Sequence, residues 1–271
     1  MRLLLTNDDG IDSVGLHVLA RSMKQFGDVI IVAPDREFSG AGAAIGAIWE
    51  MRPEVESVSI DDFDESWAVS GSPALCVMFA MRGAFGPPPD LIVSGINPGA
   101  NVGRSVYHSG TIGATLTGRN AGVTGVAVSQ SVTDFGVEGQ AWEESIKDLR
   151  WQTAADVAAA AVGAIIDLPP AEPSILNINV PNLPVEDIAG WQWATVGQEP
   201  PRALSTATLE AKTGHLGRYH VNMDYGTDHA QPVGTDTATI QDHHVSLTWL
   251  SRLTALEHST PSVDAAMNHL I

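Results

Sequence analysis

Leu3-Leu4-Leu5 is a run without a polar residue, and it stops at once on Thr6-Asn7-Asp8-Asp9-Gly10. A strand that is apolar at every position buries both of its faces, as strands do in a parallel sheet covered by helices on each side. From Val14 the spacing changes. Leu16, Leu19, Ala20 and Met23 recur at helical intervals as far as Phe26, and Gly27 ends the pattern. Val29-Ile30-Ile31-Val32-Ala33 is a second apolar strand. Strand, helix and strand make a βαβ unit with a right-handed crossover. Ligands of open α/β sheets bind beyond the carboxyl ends of the strands, where Asp8 and Asp9 would lie. Adjacent carboxylates repel each other, and a hard divalent cation, Mg²⁺ or Mn²⁺, would offset that repulsion. The plainer alternative is that one Asp caps the turn or the next helix, although Asp12 and Ser13 are better placed for a cap.

The alternation continues down the chain. Pro34 to Gly46 forms a second edge loop, in which Gly40, Gly42 and Gly46 give backbone freedom. A dinucleotide fingerprint does not fit there, because six residues separate Ala33 from Gly40 and the fingerprint must open directly after a strand. Short strands are expected at Val55–Ile60 and Trp67–Val69, and Asp61 to Glu65 is a solvated acidic loop. Ser72 caps a helix through Ala84, with Pro73 at its first position and Cys76 packed inside it as a small hydrophobe. Leu91-Ile92-Val93 is a third core strand, followed by the glycine-rich loop Ser94 to Gly103 with Asn97 and Asn101. An Asn amide can ligate a hard cation or donate to phosphate, and it is equally at home in a plain turn. A helix starting near Ser109 or Gly110 would present free amides and the hydroxyls of Ser109 and Thr111 to an anion, unless Ser109 is an ordinary cap. Gly125–Ser129, the Ala-rich helix Trp151–Leu168 and the strand Ile175–Val180 complete the regular pattern.

After about Trp191 short strands are expected at Trp191–Val196, Gly217–Met223, Thr237–Ile240 and Val245–Leu247, with a turn at Asp224–Asp228. This strand-rich part, about 191–250, resembles hairpin extensions, packed on the domain or exchanged between subunits, within one α/β domain over 1–271. His215, His220, His243 and His244 lack the companion ligands of a zinc site.

Charge narrows the partners. The 271 residues carry a net charge of -18, with 14 Lys and Arg against 32 Asp and Glu. Such a chain has no generic attraction for polyphosphate backbones, so duplex nucleic acid is not an expected partner. A small phosphorylated substrate would need a local device, a metal or backbone amides, since only Arg36, Arg104 and Arg119 lie near the proposed site. The single cysteine allows no internal disulfide. That, with no apolar signal segment or membrane span, gives a cytoplasmic protein as the expectation.

Several stretches together carry a family likeness: Leu4 to Ile11, Ala33-Pro34-Asp35-Arg36 with Ser39-Gly40-Ala41, Ser94 to Gly103, Ser109 to Ala114, Leu176 to Pro181, and Thr235-Asp236 with Val245 to Thr248. In this order they resemble the SurE survival-protein family of 5'/3'-nucleotidases, over residues 1 to about 250. The resemblance implies a Rossmann-like, mostly parallel sheet with helices on both faces and carboxyl-terminal elements used for oligomerisation, in a homodimer or homotetramer. It implies one divalent metal ion, Mg²⁺ or Mn²⁺, on Asp8, Asp9, Ser39 and Asn97. It also implies phosphate near Asn101, Ser109, Gly110 and Thr111, with Asp8, Asp9 and Asn101 as catalytic groups. The implied activity is hydrolysis of nucleoside 5'- or 3'-monophosphates. A nucleotide sensor on the same fold, and a carboxylate nucleophile forming an aspartyl phosphate, are the alternatives. The chain departs from the family pattern at Gly42–Gly46, where hydroxyl residues are usual, at His108 in place of Tyr, at Thr117 in place of an acidic residue, and at His243-His244.

Overall fold

Leu3, Leu4 and Leu5 have no exposed surface, and successive side chains go to opposite faces of one sheet. The computed structural model describes residues 1–132, 146–199, 202–228, 230–251 and 261–270. In chain order the first elements are β1 (Arg2–Thr6), α1 (Val14–Met23), β2 (Asp28–Pro34), α2 (Ile48–Met51), β3 (Val55–Ser57), β4 (Ser66–Val69) and α3 (Pro73–Met81). Next come β5 (Leu91–Pro98), α4 (Gly110–Asn120), β6 (Gly125–Gln130), α5 (Trp151–Asp167), β7 (Ile175–Val180) and β8 (Gly190–Trp193). The chain continues with β9 (Arg202–Ala211), β10 (Tyr219–Asp228), α6 (Asp236–Gln241), β11 (His244–Leu250) and α7 (Pro261–Leu270).

Nine strands form one sheet in the order β3-β4-β2-β1-β5-β6-β7-β11-β8. The six from β4 to β7 are mutually parallel, and β3 and β11 join its two ends antiparallel. Helices cover both faces, as continuously apolar strands require. Leu3, Leu5, Ile31, Val93 and Val126 pack with Leu16 and Leu19 of α1 and Ala158 and Val162 of α5. Leu4, Ile30, Val32 and Ile92 pack with Cys76, Val77 and Ala80 of α3 and Ala114 of α4. Cys76 is fully buried, and burial pushes its thiol up. Ser72 caps α3 by accepting from the Leu75 amide at 3.3 Å, with Pro73 at the first helical position. Among the described residues no helix is long and apolar enough to cross a membrane.

Several elements differ from the sequence expectation. α1 ends at Met23, and a 3-10 turn fills Lys24–Phe26. Neither Asp12 nor Ser13 caps it by a side-chain hydrogen bond. α3 stops at Met81 rather than Ala84. β5 runs five residues into the supposed glycine-rich loop, because Ser94 pairs with Thr6 on one side and Asn97 with Ser129 on the other. Gly95 and Asn97 mask a strand that is buried from Leu91 to Asn97. Beyond residue 190, β8 and β11 are part of the main sheet, and only β9 and β10 form a separate antiparallel ribbon. The expected turn at Asp224–Asp228 lies within β10. Thr237–Ile240 is helical, not a strand. The threonines suggest β structure, but Thr235 caps α6 by accepting from the Ala238 amide at 3.2 Å, and the helix packs on β11. α7 has no counterpart in the expected pattern.

Leu5 is fully buried in the α1/α5 face of the sheet. Leu5→Ala is expected to cost about 2–5 kcal/mol, read as a lower guanidinium midpoint with an unchanged slope.

Candidate active site

The sheet changes its direction of growth between β1 and β5. The strand after β1 in the chain, β2, lies on one side, whereas the strand after β5, β6, lies on the other. That reversal opens a crevice at the carboxyl ends of the two strands, where ligands of open α/β sheets bind. The turn after β1 carries Asp8 and Asp9 into it, and the end of β5 carries Asn97.

Asp8 is almost wholly buried. The start of α4 is built against it. The Thr111 hydroxyl donates to Asp8 Oδ1 at 2.6 Å. The amides of Gly110 and Thr111 also favour the ionised carboxylate, so the positive end of α4 faces Asp8. Burial nevertheless holds the Asp8 carboxyl above its ordinary range. Gly110 is required by this approach: a Cβ there would stand 2.7 Å from the Asp8 side chain. Ser109 caps α4, its Oγ accepting from the Ile112 amide at 3.1 Å, which leaves its own O–H to donate elsewhere.

Asp9 lacks such support. Its Oδ2 is buried and has no hydrogen-bond partner. Burial pushes its carboxyl well above the ordinary range, and the charges of Asp8 and Glu37 push it further. Glu37 accepts from the Ser39 hydroxyl at 2.7 Å. The Phe38 amide donates to the Asp8 carbonyl at 2.7 Å, which ties the loop of Ser39 to the acidic turn. Asp8, Asp9, Glu37 and Ser39 thus make the crevice oxygen-rich and acidic. Asn97 donates its Nδ2 to the Gly99 carbonyl at 2.6 Å, so Oδ1 is the atom it has for a cation. Among the described residues no three His, Cys, Asp or Glu side chains are grouped to hold a metal. A cation here would therefore rest on two carboxylates and neutral oxygens, the ligand set hard divalent ions prefer. The unpartnered Asp9 oxygen fits such an ion.

Asn101 is gripped by β6 and β7 instead of by the acidic turn. Its amide donates to Asn179 Oδ1 at 2.7 Å, and its carbonyl accepts from Asn177 Nδ2 at 2.9 Å and Asn179 Nδ2 at 3.2 Å. Its side-chain Nδ2 donates to Ser129 Oγ at 2.8 Å. Asp236 holds the end of the same loop, accepting from the Gly103 amide at 3.0 Å and the Gly197 amide at 2.9 Å. None of these partners was singled out from the sequence; the signal available for Asn177 and Asn179 was two amides at alternate positions of a buried strand. Asp236 lies too far along the chain to be placed. The departures from the family pattern have local roles. The Gly42 amide donates to the His108 carbonyl at 2.9 Å, and Gly113 of α4 leaves room for the Gly42 carbonyl, 2.1 Å from where a Cβ would stand. Thr117 spends its hydroxyl on the Gly113 carbonyl at 2.9 Å. Arg119 lies at the far end of α4 from Asp8, Arg104 donates to the Gln198 carbonyl, and Arg36 stacks on Phe38.

Fold and site together define a doubly wound α/β protein with an acidic crevice at the switch point of its sheet. The chain belongs to the survival protein SurE family, whose pattern it matches over residues 3–202. It is 37% identical over 254 residues to 5'-nucleotidase SurE of Rubrobacter xylanophilus, covering 92% of this chain and 90% of the relative. It is 33% identical over 263 residues to 5'/3'-nucleotidase SurE of Shigella dysenteriae serotype 1, covering 97% and 94%. The crystal structure of the SurE protein from Aquifex aeolicus superposes with a TM-score of 0.75 at 28% identity, over 100% of this chain and 99% of that one.

Asn179→Ala deprives the buried Asn101 amide of its acceptor. An unsatisfied buried donor costs about 1–3 kcal/mol, and thermal melts of the variant should show that loss.

Proposed function

We propose that this protein is a divalent-metal-dependent phosphomonoesterase that hydrolyses nucleoside 5'- or 3'-monophosphates to nucleoside and phosphate. The names of the relatives support the activity. The observation that carries the site is the buried, unpartnered Asp9 Oδ2 beside a second buried carboxylate. Asp8, Asp9, Ser39 and Asn97 would hold one Mg²⁺ or Mn²⁺. Such an ion, when bound, neutralises phosphoryl charge and lowers the pKa of an attacking water.

The chain's own groups do the rest. Asp8 or Asp9 is the proposed acceptor of the attacking water's proton. The Ser109 O–H is free to donate, and with the Gly110 and Thr111 amides and Asn101 it forms the proposed phosphate cradle, stabilising oxygens as charge moves to the leaving group. Thr111 has a more specific task than a phosphate contact. It holds Asp8 Oδ1 in one direction. We also assign the β9–β10 ribbon to self-association as a homodimer or homotetramer, since Leu209, Val221 and Met223 are exposed on it. A reducing cytoplasm suits the single buried thiol.

Hydrolysis of a panel of nucleoside monophosphates with Mn²⁺ or Mg²⁺ tests the proposal directly. Full activity after exhaustive chelation would overturn the metal dependence. Asp9→Asn should lose most activity and should also lose the rise in melting temperature that Mn²⁺ gives the wild type. Thr111→Ala should lower turnover ~10- to 100-fold, the size of a lost charge-assisted hydrogen bond of about 1–3 kcal/mol. Gly110→Val should be worse, because its side chain would displace the Asp8 carboxylate.

A further inference from the structure

The two amides that grip Asn101 from β7 are not used equally. Asn179 engages with both of its atoms, Oδ1 accepting from the Asn101 peptide N–H and Nδ2 donating to the carbonyl. Asn177 engages with one. Its Nδ2 donates to the Asn101 carbonyl at 2.9 Å, while its Oδ1 is buried and has no hydrogen-bond partner. The orientation is forced, since a carbonyl only accepts and the amide cannot be turned round against it.

Two further unpaired groups lie beside it. The register of β7 and β11 sets Thr248 directly opposite Asn177, and Ser246 directly opposite Asn179. Opposed residues of an antiparallel pair share one face of the sheet, with Cβ atoms about 4.5–5.5 Å apart. Asn177, Ser246 and Thr248 are all buried. Ser246 Oγ and Thr248 Oγ1 have no hydrogen-bond partner either. The helix packed on β11 offers them none through its threonines. In α6 the Thr239 hydroxyl donates to the Thr235 carbonyl at 2.9 Å, and the Thr237 hydroxyl to Asp236 Oδ1 at 3.4 Å.

One acceptor and two hydroxyls thus stand unpaired on neighbouring positions of two strands. Leaving such groups unpaired in the interior is costly. A single water answers all three, because a buried water typically makes about three hydrogen bonds to groups that lack other partners. It donates to Asn177 Oδ1 and to one hydroxyl, and it accepts from the other. Neutral oxygens alone offset little of a cation's dehydration, so an ion is the poorer occupant. We propose that Ser246 and Thr248 are positioning residues of the active site, acting on Asn101 through a buried water held on Asn177 Oδ1. The water fixes the Asn177 amide, the amide fixes the Asn101 carbonyl, and the loop thereby presents the Asn101 side chain to phosphate. The role rests on the phosphatase reading above and extends its machinery from the crevice to β11, on the far side of β7.

Thr248→Val removes the hydroxyl and keeps the volume. Were that hydroxyl simply unpaired, its loss would leave the melting temperature unchanged or raise it, since an apolar group replaces a buried orphan. With the water in place, Thr248→Val and Ser246→Ala should each lower it by about 2–5 °C. The double variant should fall hardly further than the worse single variant, because both hydroxyls hold the same water. Additive losses, or no loss, overturn the shared water. Kinetics well below the melting range read the positioning role, with adenosine 5'-monophosphate and Mn²⁺. Thr248→Val should lower kcat about tenfold while KM stays within about threefold. Thr248→Ser brings the hydroxyl back and should recover kcat. A lowered melting temperature with unchanged kcat overturns the positioning role. If the wild type does not hydrolyse the nucleotide, the phosphatase reading fails instead. Calorimetric titration with inorganic phosphate and Mn²⁺ then reads the placement of Asn101. Thr248→Val should weaken that binding about tenfold, and an unchanged affinity overturns the role.

Discussion

Two carboxylates lie side by side at the buried end of an interior strand, and much of the surrounding architecture answers the cost of keeping charge there. Taking an ion out of water is expensive unless it is paired or hydrogen-bonded. Asp8 is compensated within the chain, by a hydroxyl and by the amino-terminal end of α4. That solution propagates outward. α4 must start against Asp8, so its first residue is Gly110. The loop after β2 must then lie on α4, so Gly113 carries no side chain where the Gly42 carbonyl arrives. Asp9 receives no equivalent support. The same turn therefore holds one carboxylate that is hydrogen-bonded and one whose Oδ2 is buried without a partner.

The sheet supplies the location. Leu3 and Leu5 anchor β1 to the α1/α5 face while Leu4 anchors it to the α3/α4 face, so the strand end is fixed from both sides. Because β2 and β6 lie on opposite flanks of the β1–β5 pair, a crevice opens at the carboxyl ends of these two strands. Rigid strands hold Asp8 and Asp9 on a short turn, which gives the precision a charged site needs.

The central fold was legible because it is written in local patterns. Consecutive apolar residues announced the two-faced strands, helical spacing announced α1, and Ser72-Pro73 announced the start of α3. Asp8 and Asp9 stood out as paired carboxylates at a strand end, Asn97 suited a plain turn as well as a ligand, and Ser39 joined them only through the family resemblance. What escaped was set by distant partners. β5 reads as a loop after Val93 because Gly95 and Asn97 are poor strand residues, yet both neighbouring strands hold it in the ladder. The threonines of α6 favour strands, but a cap and a buried position on β11 override them. The Asn101 clamp joins residues 78 apart and the Gly103 clamp residues 133 apart, separations over which local pattern carries no information.

That clamp has a thermodynamic consequence. Both peptide groups of Asn101 are satisfied by side chains of β7, and the loop's far end is satisfied by Asp236. The disorder of a glycine-containing loop has thus been surrendered during folding, before any ligand arrives. Capture then requires little further ordering of backbone, and preorganised segments of this kind spend less of the interaction energy on immobilisation. The heat-capacity change on binding should accordingly reflect only the apolar surface that the ligand covers, without the larger contribution that accompanies coupled folding.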